Sequence, residues 1–303
     1  MPAIRTICRW RPIIDYRRTL SSAPSSRRPL QLPDVNVIPF RRLAFEAGIP
    51  ASFPQGSFQH ISAANKWFEK GNEDDTATGQ QLNTGYLQQY NETMVPLELT
   101  TTEQTDLGAK DTFERFQAPL QVFIDWCTTQ YQRSEPHSKN PLHRNLYLAQ
   151  ASLSELPQAL RDDLPTPEIV CFAGRGDIYD ANIWMGLAPT YTPLHKDPNP
   201  NLFVQLAGRK LVRLFEPAIG LEIFRAAQAR SQGSGSATFR GTEMMEGEEK
   251  AALEDIVWGE NAKIQVEASL EPGDALFIPK GWWHSIRGVG SGITASVSLG
   301  SVL

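Results

Sequence analysis

The chain is short of cysteine, of net positive charge and of long apolar runs, and each shortage removes a class of protein. Its three cysteines, Cys8, Cys127 and Cys171, are odd in number and far apart. They form no Cys-x-x-Cys pair, which argues against a zinc site and a disulfide framework and for a reducing compartment. The formal net charge is −5 and the isoelectric point about 5.6. No overall basic field is present to hold nucleic acid non-specifically. No stretch approaches the roughly 20 apolar residues of a membrane-spanning helix, so a soluble protein is expected. What is there is a chain of 303 residues, 41% hydrophobic and 21% charged. That suffices for one large domain with a full core, or for two small ones.

Acids are nearly missing from the first 32 residues, where Asp15 stands alone against Arg5, Arg9, Arg11, Arg17, Arg18, Arg27 and Arg28. Lysine is absent there too, and the run SSAPSS lies between two Arg pairs. An Arg- and Ser-rich, acid-poor leader over residues 1–33 has the composition of a mitochondrial transit peptide. A plain basic tail has the same composition, and cytoplasm or nucleus is then the alternative.

After Pro33 the composition becomes globular. The segment VNVIPFRRLAFEAGIPASFPQG predicts a short strand, a turn and a return, broken by Pro39, Pro50 and Pro54. A short helix is expected over 63–70, a loop over 71–85 and a longer helix over 112–130. In the last of these, Leu120, Phe123, Ile124 and Cys127 follow the i, i+3, i+4, i+7 rule, and Pro119 marks the start of a second piece. From Asn145 onward short runs alternate with turn residues. NLYLAQ, IVCFA, IWMGLAP, TPLHKD, LFVQLAG, KLVRLFEP, DALFIP and GITASVSLG all read as strands. Many short strands with Gly and Pro turns predict a sandwich or barrel, hence a mainly β fold with flanking helices. The Gly/Ser-rich stretch 227–250 reads as a flexible insertion, with a short helix at 250–256.

Histidine is also scarce, at five residues. His60, His137 and His143 read as ordinary structural positions. His195 and Asp197 differ: they stand two apart in TPLHKD, so a strand turns both to one face and Lys196 to the other. Downstream, GWWHSI supplies His284 just after a strand ending at Pro279. Two imidazoles and one carboxylate, with coordination positions left open, form the facial triad of non-haem Fe(II) oxygenases. Each fragment alone is weak, because His-x-Asp spacing arises by chance. A cation in the neighbouring strand strengthens the set. Lys210, in GRKLVRLF, can donate a charge-assisted hydrogen bond to the distal carboxylate of 2-oxoglutarate, with Thr192 and Tyr147 as hydroxyl partners. A solvated strand lysine is the ordinary alternative.

The stretches TPLHKDPNPNLFVQLAGRKLVRLFEP and LEPGDALFIPKGWWHSIRGVGSGITASVSLG resemble the JmjC family of cupin-fold oxygenases. Among its members the small hydroxylases are nearest, including the asparaginyl hydroxylase that acts on hypoxia-inducible factor. The resemblance covers most of residues 35–303. It implies a double-stranded β-helix (jelly-roll, cupin) core over 34–303 and iron ligation by His195, Asp197 and His284. It implies further that Lys210, Thr192 and Tyr147 hold the 2-oxoglutarate tail, with Asn201 close to the cosubstrate. The activity implied is hydroxylation of a protein side chain with O2, releasing succinate and CO2. N-methyl-lysine demethylation uses the same chemistry, and a cupin metalloprotein without 2-oxoglutarate is a further alternative. Trp282 and Trp283 are candidates to shield the pocket, or plain packing residues. Ser298 departs from the family member, which has an Asn there, so the contacts around the metal are expected to differ. The chain also stops soon after its last strand, so shared dimerisation is not implied. These motifs specify no oligomeric state.

Overall fold

The computed structural model describes residues 28–71, 79–105, 108–132, 142–174, 178–231 and 246–301. Residues 1–27 of the expected leader, Cys8 and His137 lie outside the described residues. The end of the leader packs with the domain: β1 (Leu30–Gln31) pairs in parallel with β2 (Ala51–Ser52), and Leu32 is buried.

Between β1 and β2 the expected strand and return is replaced by helix α1 (Val37–Phe40) and a π-helical turn over Arg41–Phe45. The buried residues there are Phe40 and Ala44, four apart, which one helical face can bury together and alternating strand faces can too. Helix α2 (Ser62–Lys66) fills the first half of the expected 63–70 helix. The expected loop at 71–85 carries β4 (Gln81–Leu82), paired with β3 (Phe68–Glu69), and α3 (Thr84–Leu87). Residues 72–78 of that loop lie outside the described residues.

The largest correction concerns 112–130. Strands β5 (Met94–Thr105) and β6 (Gly108–Pro119) form a long hairpin, so the helix α4 (Leu120–Gln132) begins only after Pro119. Its Leu120, Phe123, Ile124 and Cys127 are all buried, as their spacing requires. Upstream of Pro119, Thr112, Phe113 and Phe116 are β-branched or aromatic and suit a strand. A second correction concerns IVCFA. After β7 (Leu142–Ser152) and α5 (Gln158–Asp162) it forms helix α6 (Glu168–Ala173). Ile169, Val170 and Ala173 are buried while Phe172 is 59% exposed, a helical spacing. A short apolar run does not by itself distinguish the two.

The remaining strands are β8 (Ile178–Leu187), β9 (Thr190–Lys196), β10 (Asn201–Ala207), β11 (Arg209–Phe215), β12 (Val266–Leu270), β13 (Ala275–Ile278), β14 (Trp283–Val289) and β15 (Ile293–Ser301). They sort into two antiparallel sheets. One runs β12-β11-β14-β9, and the other places β13-β10-β15-β8 side by side, extended by β1, β2 and by β7-β5-β6. Successive strands from β8 to β15 cross between sheets, apart from the β11–β12 step within one. This is the jelly-roll of the cupin fold. The insertion between β11 and β12 is helical at both described ends, α7 (Pro217–Ser231) and α8 (Gly247–Trp258), with 232–245 outside the described residues.

Alternation assigns the faces. In β10, Leu202, Val204 and Leu206 enter the core beneath the helices outside the larger sheet, and Phe203 points between the sheets. In β15, Ala295, Val297 and Leu299 face outward to that same core. Ser296 and Ser298 therefore face inward. The space between the sheets is thus apolar at one end, around Phe203, Val212 and Leu276, and polar at the other. The polar end holds the site.

Candidate metal centre and its cavity

His195 lies at the end of β9 with Asp197 just beyond it, and His284 lies opposite in β14, where it pairs directly with His195. The two rings are 4.2 Å apart between centroids. One ligand atom from each of His195, Asp197 and His284 lies within 4.8 Å of the others. His195 Nε2 is 3.8 Å from Asp197 Oδ1, and His284 Nε2 is 3.7 Å from Asp197 Oδ2. These gaps are too long for hydrogen bonds. Two donors each about 2.1 Å from one ion stand about 3 Å apart at a right angle and about 4.2 Å apart when opposite. Both His–Asp gaps fall between these limits, so the three side chains can converge on a shared cation.

The imidazole orientation supports the same reading. His195 Nδ1 lies 2.8 Å from the carbonyl oxygen of Pro193. A carbonyl only accepts, so Nδ1 carries the proton and the Nε2 lone pair faces Asp197 and His284. Asn201 holds the carboxylate. Its Nδ2 donates to Asp197 Oδ2 at 3.1 Å, and its Oδ1 accepts from Leu299 N at 3.1 Å.

A bulge in β9 makes this arrangement possible. His195 pairs with His284, but Thr192 pairs with Ile286, so β9 has one residue more than β14 across that interval. In a regular strand, residues three apart face opposite ways. The extra residue turns Thr192 and His195 to one wall. The bulge contains Pro193, which has no N–H to lose, on a strand at the edge of its sheet.

All seven residues singled out from the sequence (Tyr147, Thr192, His195, Asp197, Asn201, Lys210 and His284) line one cavity of about 320 Å³. Lys210 is 1% exposed and reaches from β11 across to the other sheet, where its Nζ donates to Ser296 Oγ at 2.8 Å. Tyr147 Oη is 3.5 Å from the same nitrogen. Gly186 is needed beside Tyr147, since a Cβ there would lie 2.3 Å from the ring. The solvated alternative for Lys210 is therefore excluded by its burial.

Sequence reasoning missed Ser296, Asn182, Gln150 and Arg115, all close to or lining this cavity. Ser296 was legible in principle, because Thr294, Ser296 and Ser298 alternate with four apolar residues in β15. Ser298, flagged as a departure, lines the cavity as well. Neither Trp282 nor Trp283 lines it. Trp283 packs with Phe224 of α7 on the far side of the sheet, and Trp282 Nε1 donates to Gly48 O at 3.1 Å. Trp283 and His284 are consecutive in a strand and so face opposite ways. His60 and His143 are exposed and outside the cavity.

Residues 55–299 match the cupin-like domain family, and the chain belongs to it. It is 30% identical over 165 residues to a lysine-specific demethylase of Arabidopsis thaliana, covering 54% of this chain and 36% of that one. It is 29% identical over 190 residues to lysine-specific demethylase 8 of Danio rerio, covering 61% and 42%. It is 27% identical over 269 residues to Jumonji C domain-containing protein 5 of Drosophila melanogaster, covering 85% and 56%. The matched segment thus spans from about a third to just over half of these relatives. Their names are those of Jumonji C proteins and demethylases, not of the asparaginyl hydroxylase. Among the described residues no helix is long and apolar enough to cross a membrane.

Proposed function

We propose that the chain is an Fe(II)- and 2-oxoglutarate-dependent dioxygenase that oxidises a side chain of another protein. The observation that carries this reading is a buried ammonium, Lys210, sharing one cavity with an open-sided His-Asp-His triad. A triad for stability alone has no use for a lysine at 1% exposure beside it.

When bound, iron with O2 and 2-oxoglutarate supplies the oxidation: one oxygen atom enters the substrate C–H bond and the other enters succinate as CO2 leaves. The chain's own residues do the rest. His195, Asp197 and His284 would hold the metal on one side, leaving the cavity side open. Asn201 would keep the Asp197 carboxylate turned toward it. Lys210, Tyr147 and Thr192 would receive the distal carboxylate of 2-oxoglutarate. Phe203, Ile286 and Trp184, apolar side chains of the lining, would keep water from the reacting atoms.

A second reading, N-methyl-lysine demethylation, is favoured by the demethylase names of two of the relatives. It needs the same machinery, since a hydroxylated N-methyl group breaks down to the amine and formaldehyde. The comparisons lend nothing to the mitochondrial expectation, and cytoplasm or nucleus is compatible with them.

Purified protein with Fe(II), ascorbate and 2-oxoglutarate should release succinate slowly without substrate, and Asp197→Ala should abolish the release. Formaldehyde in the presence of a substrate would select demethylation, and a +16 mass shift hydroxylation. A metal-dependent thermal shift that 2-oxoglutarate leaves unchanged would select a cupin metalloprotein and end the oxygenase reading.

A further inference from the structure

Strand β7 carries a bulge of the same kind as β9. Leu148 pairs with Met185 and Ala151 with Ile183 of β8, so three steps on β7 oppose two on its neighbour. Two residues lie inside this interval, Ala149 and Gln150, and the second has φ = 56°. Among the described residues it is the only non-glycine residue with φ in the left-handed region. That region is rare for side-chain-bearing residues, and those that do occupy it are mostly Asn, Asp and His. Gln150 gains no packing in return, because its side chain is exposed. Among the described residues its amide has no hydrogen-bond partner.

What the bulge does achieve is a change of face. Tyr147 and Gln150 are three apart, so a regular strand would turn one to the cavity and the other away. With one residue extra, both line the cavity. In β9 the same device brings Thr192 and His195 to one wall. In β7 it adds a free amide, beside Asn182 and Arg115, whose guanidinium is held by Glu98 at 2.7 Å.

We propose that Gln150 determines substrate specificity: its amide, aimed into the cavity by the bulge, hydrogen-bonds a polar group of the entering peptide. This rests on the oxygenase reading above. Backbone conformations held against their preference persist where the surroundings over-determine them, and they cluster where ligands bind. Gln150 is a substrate contact, with no part in holding the metal or the 2-oxoglutarate tail. The polar wall it shares with Asn182 and Arg115 favours a side chain that both donates and accepts over an apolar one.

The test uses Gln150→Gly and Gln150→Asn in the full chain. Glycine adopts positive φ without strain, so the glycine variant should melt at or above the wild type. A lower melting temperature would make Gln150 a structural prop and overturn the proposal. The second measurement is the stimulation of succinate release by twenty pentapeptides, Ac-Ala-Ala-X-Ala-Ala-amide, each as a ratio to that protein's own peptide-free rate. Wild type should be stimulated most by polar X. In Gln150→Gly that preference should fall roughly three- to tenfold, the effect of one lost hydrogen bond. Gln150→Asn should keep part of it. Profiles that coincide in wild type and Gln150→Gly, whether stimulated or flat, overturn the proposal. No succinate from wild type under any condition would instead overturn the oxygenase reading itself.

Discussion

Asn201 Nδ2 donates to Asp197 Oδ2 at 3.1 Å, so a residue of one sheet fixes a carboxylate carried on the loop from the other. The same side chain accepts from Leu299 N at 3.1 Å, which ties it to β15 and sets its own orientation. Partners that orient metal ligands typically contribute 10- to 100-fold in metal affinity. Asn201→Ala should therefore weaken Mn(II) or Fe(II) binding by about that factor in a titration, while circular dichroism stays that of the wild type. Unchanged affinity would show that Asp197 needs no such support.

Lys210 is the second point of leverage. Lys210→Met keeps the aliphatic length and removes the ammonium that meets Ser296 Oγ at 2.8 Å. A hydrogen bond to a charged group contributes about 1.5–3 kcal/mol, or roughly 10- to 150-fold in affinity. The thermal shift produced by 2-oxoglutarate should need at least that much more ligand, with metal binding retained. An undiminished response would place the distal carboxylate elsewhere.

Gly186 controls the Tyr147 ring from the neighbouring strand. A Cβ at Gly186 would lie 2.3 Å from that ring, too close without movement. Gly186→Ala should lower stability by about 1–3 kcal/mol, as overpacking does, and also weaken 2-oxoglutarate binding. Loss of stability with ligand affinity intact would separate Tyr147 from the cosubstrate.

Outside the cavity lining, Asp163 ties α2 to α3: it accepts from Lys66 Nζ at 2.6 Å, Trp67 Nε1 at 2.9 Å and Tyr86 Oη at 2.5 Å. Burial by itself would raise this carboxyl's pKa, but the hydrogen bonds from Lys66, Tyr86 and Trp67 outweigh it and hold the value below the ordinary one. A depressed folded-state pKa contributes stability above the unfolded value of about 3.9, lost as pH falls through the folded value. Asp163→Asn should cost about 2 kcal/mol at neutral pH in urea unfolding. That difference from the wild type should shrink as the pH drops below about 4. A difference independent of pH would mean that the charge plays no part.

Residue type and short spacing were enough to single out seven residues that meet at one cavity. His195 and Asp197 two apart, His284 beyond Pro279, Lys210 in the adjacent strand and the alternating β runs after Asn145 all state their preference locally. The helical period of Leu120, Phe123, Ile124 and Cys127 did so too. Where apolar runs were short, as in IVCFA, or strands were largely polar, as in Thr100–Thr105, local pattern did not distinguish helix, strand and loop, because neighbouring elements supply the burial that decides.

Tertiary structure alone decided which way the cavity residues face. A strand's side chains alternate strictly, so a single inserted residue reverses everything beyond it, and no spacing in the sequence announces that insertion. The bulges at Pro193 and at Gln150 exist only through their pairing with β14 and β8. They turn Thr192 beside His195 and Gln150 beside Tyr147. Ser296 meets Lys210 because the two sheets pack face to face, which brings together residues 86 apart in the chain.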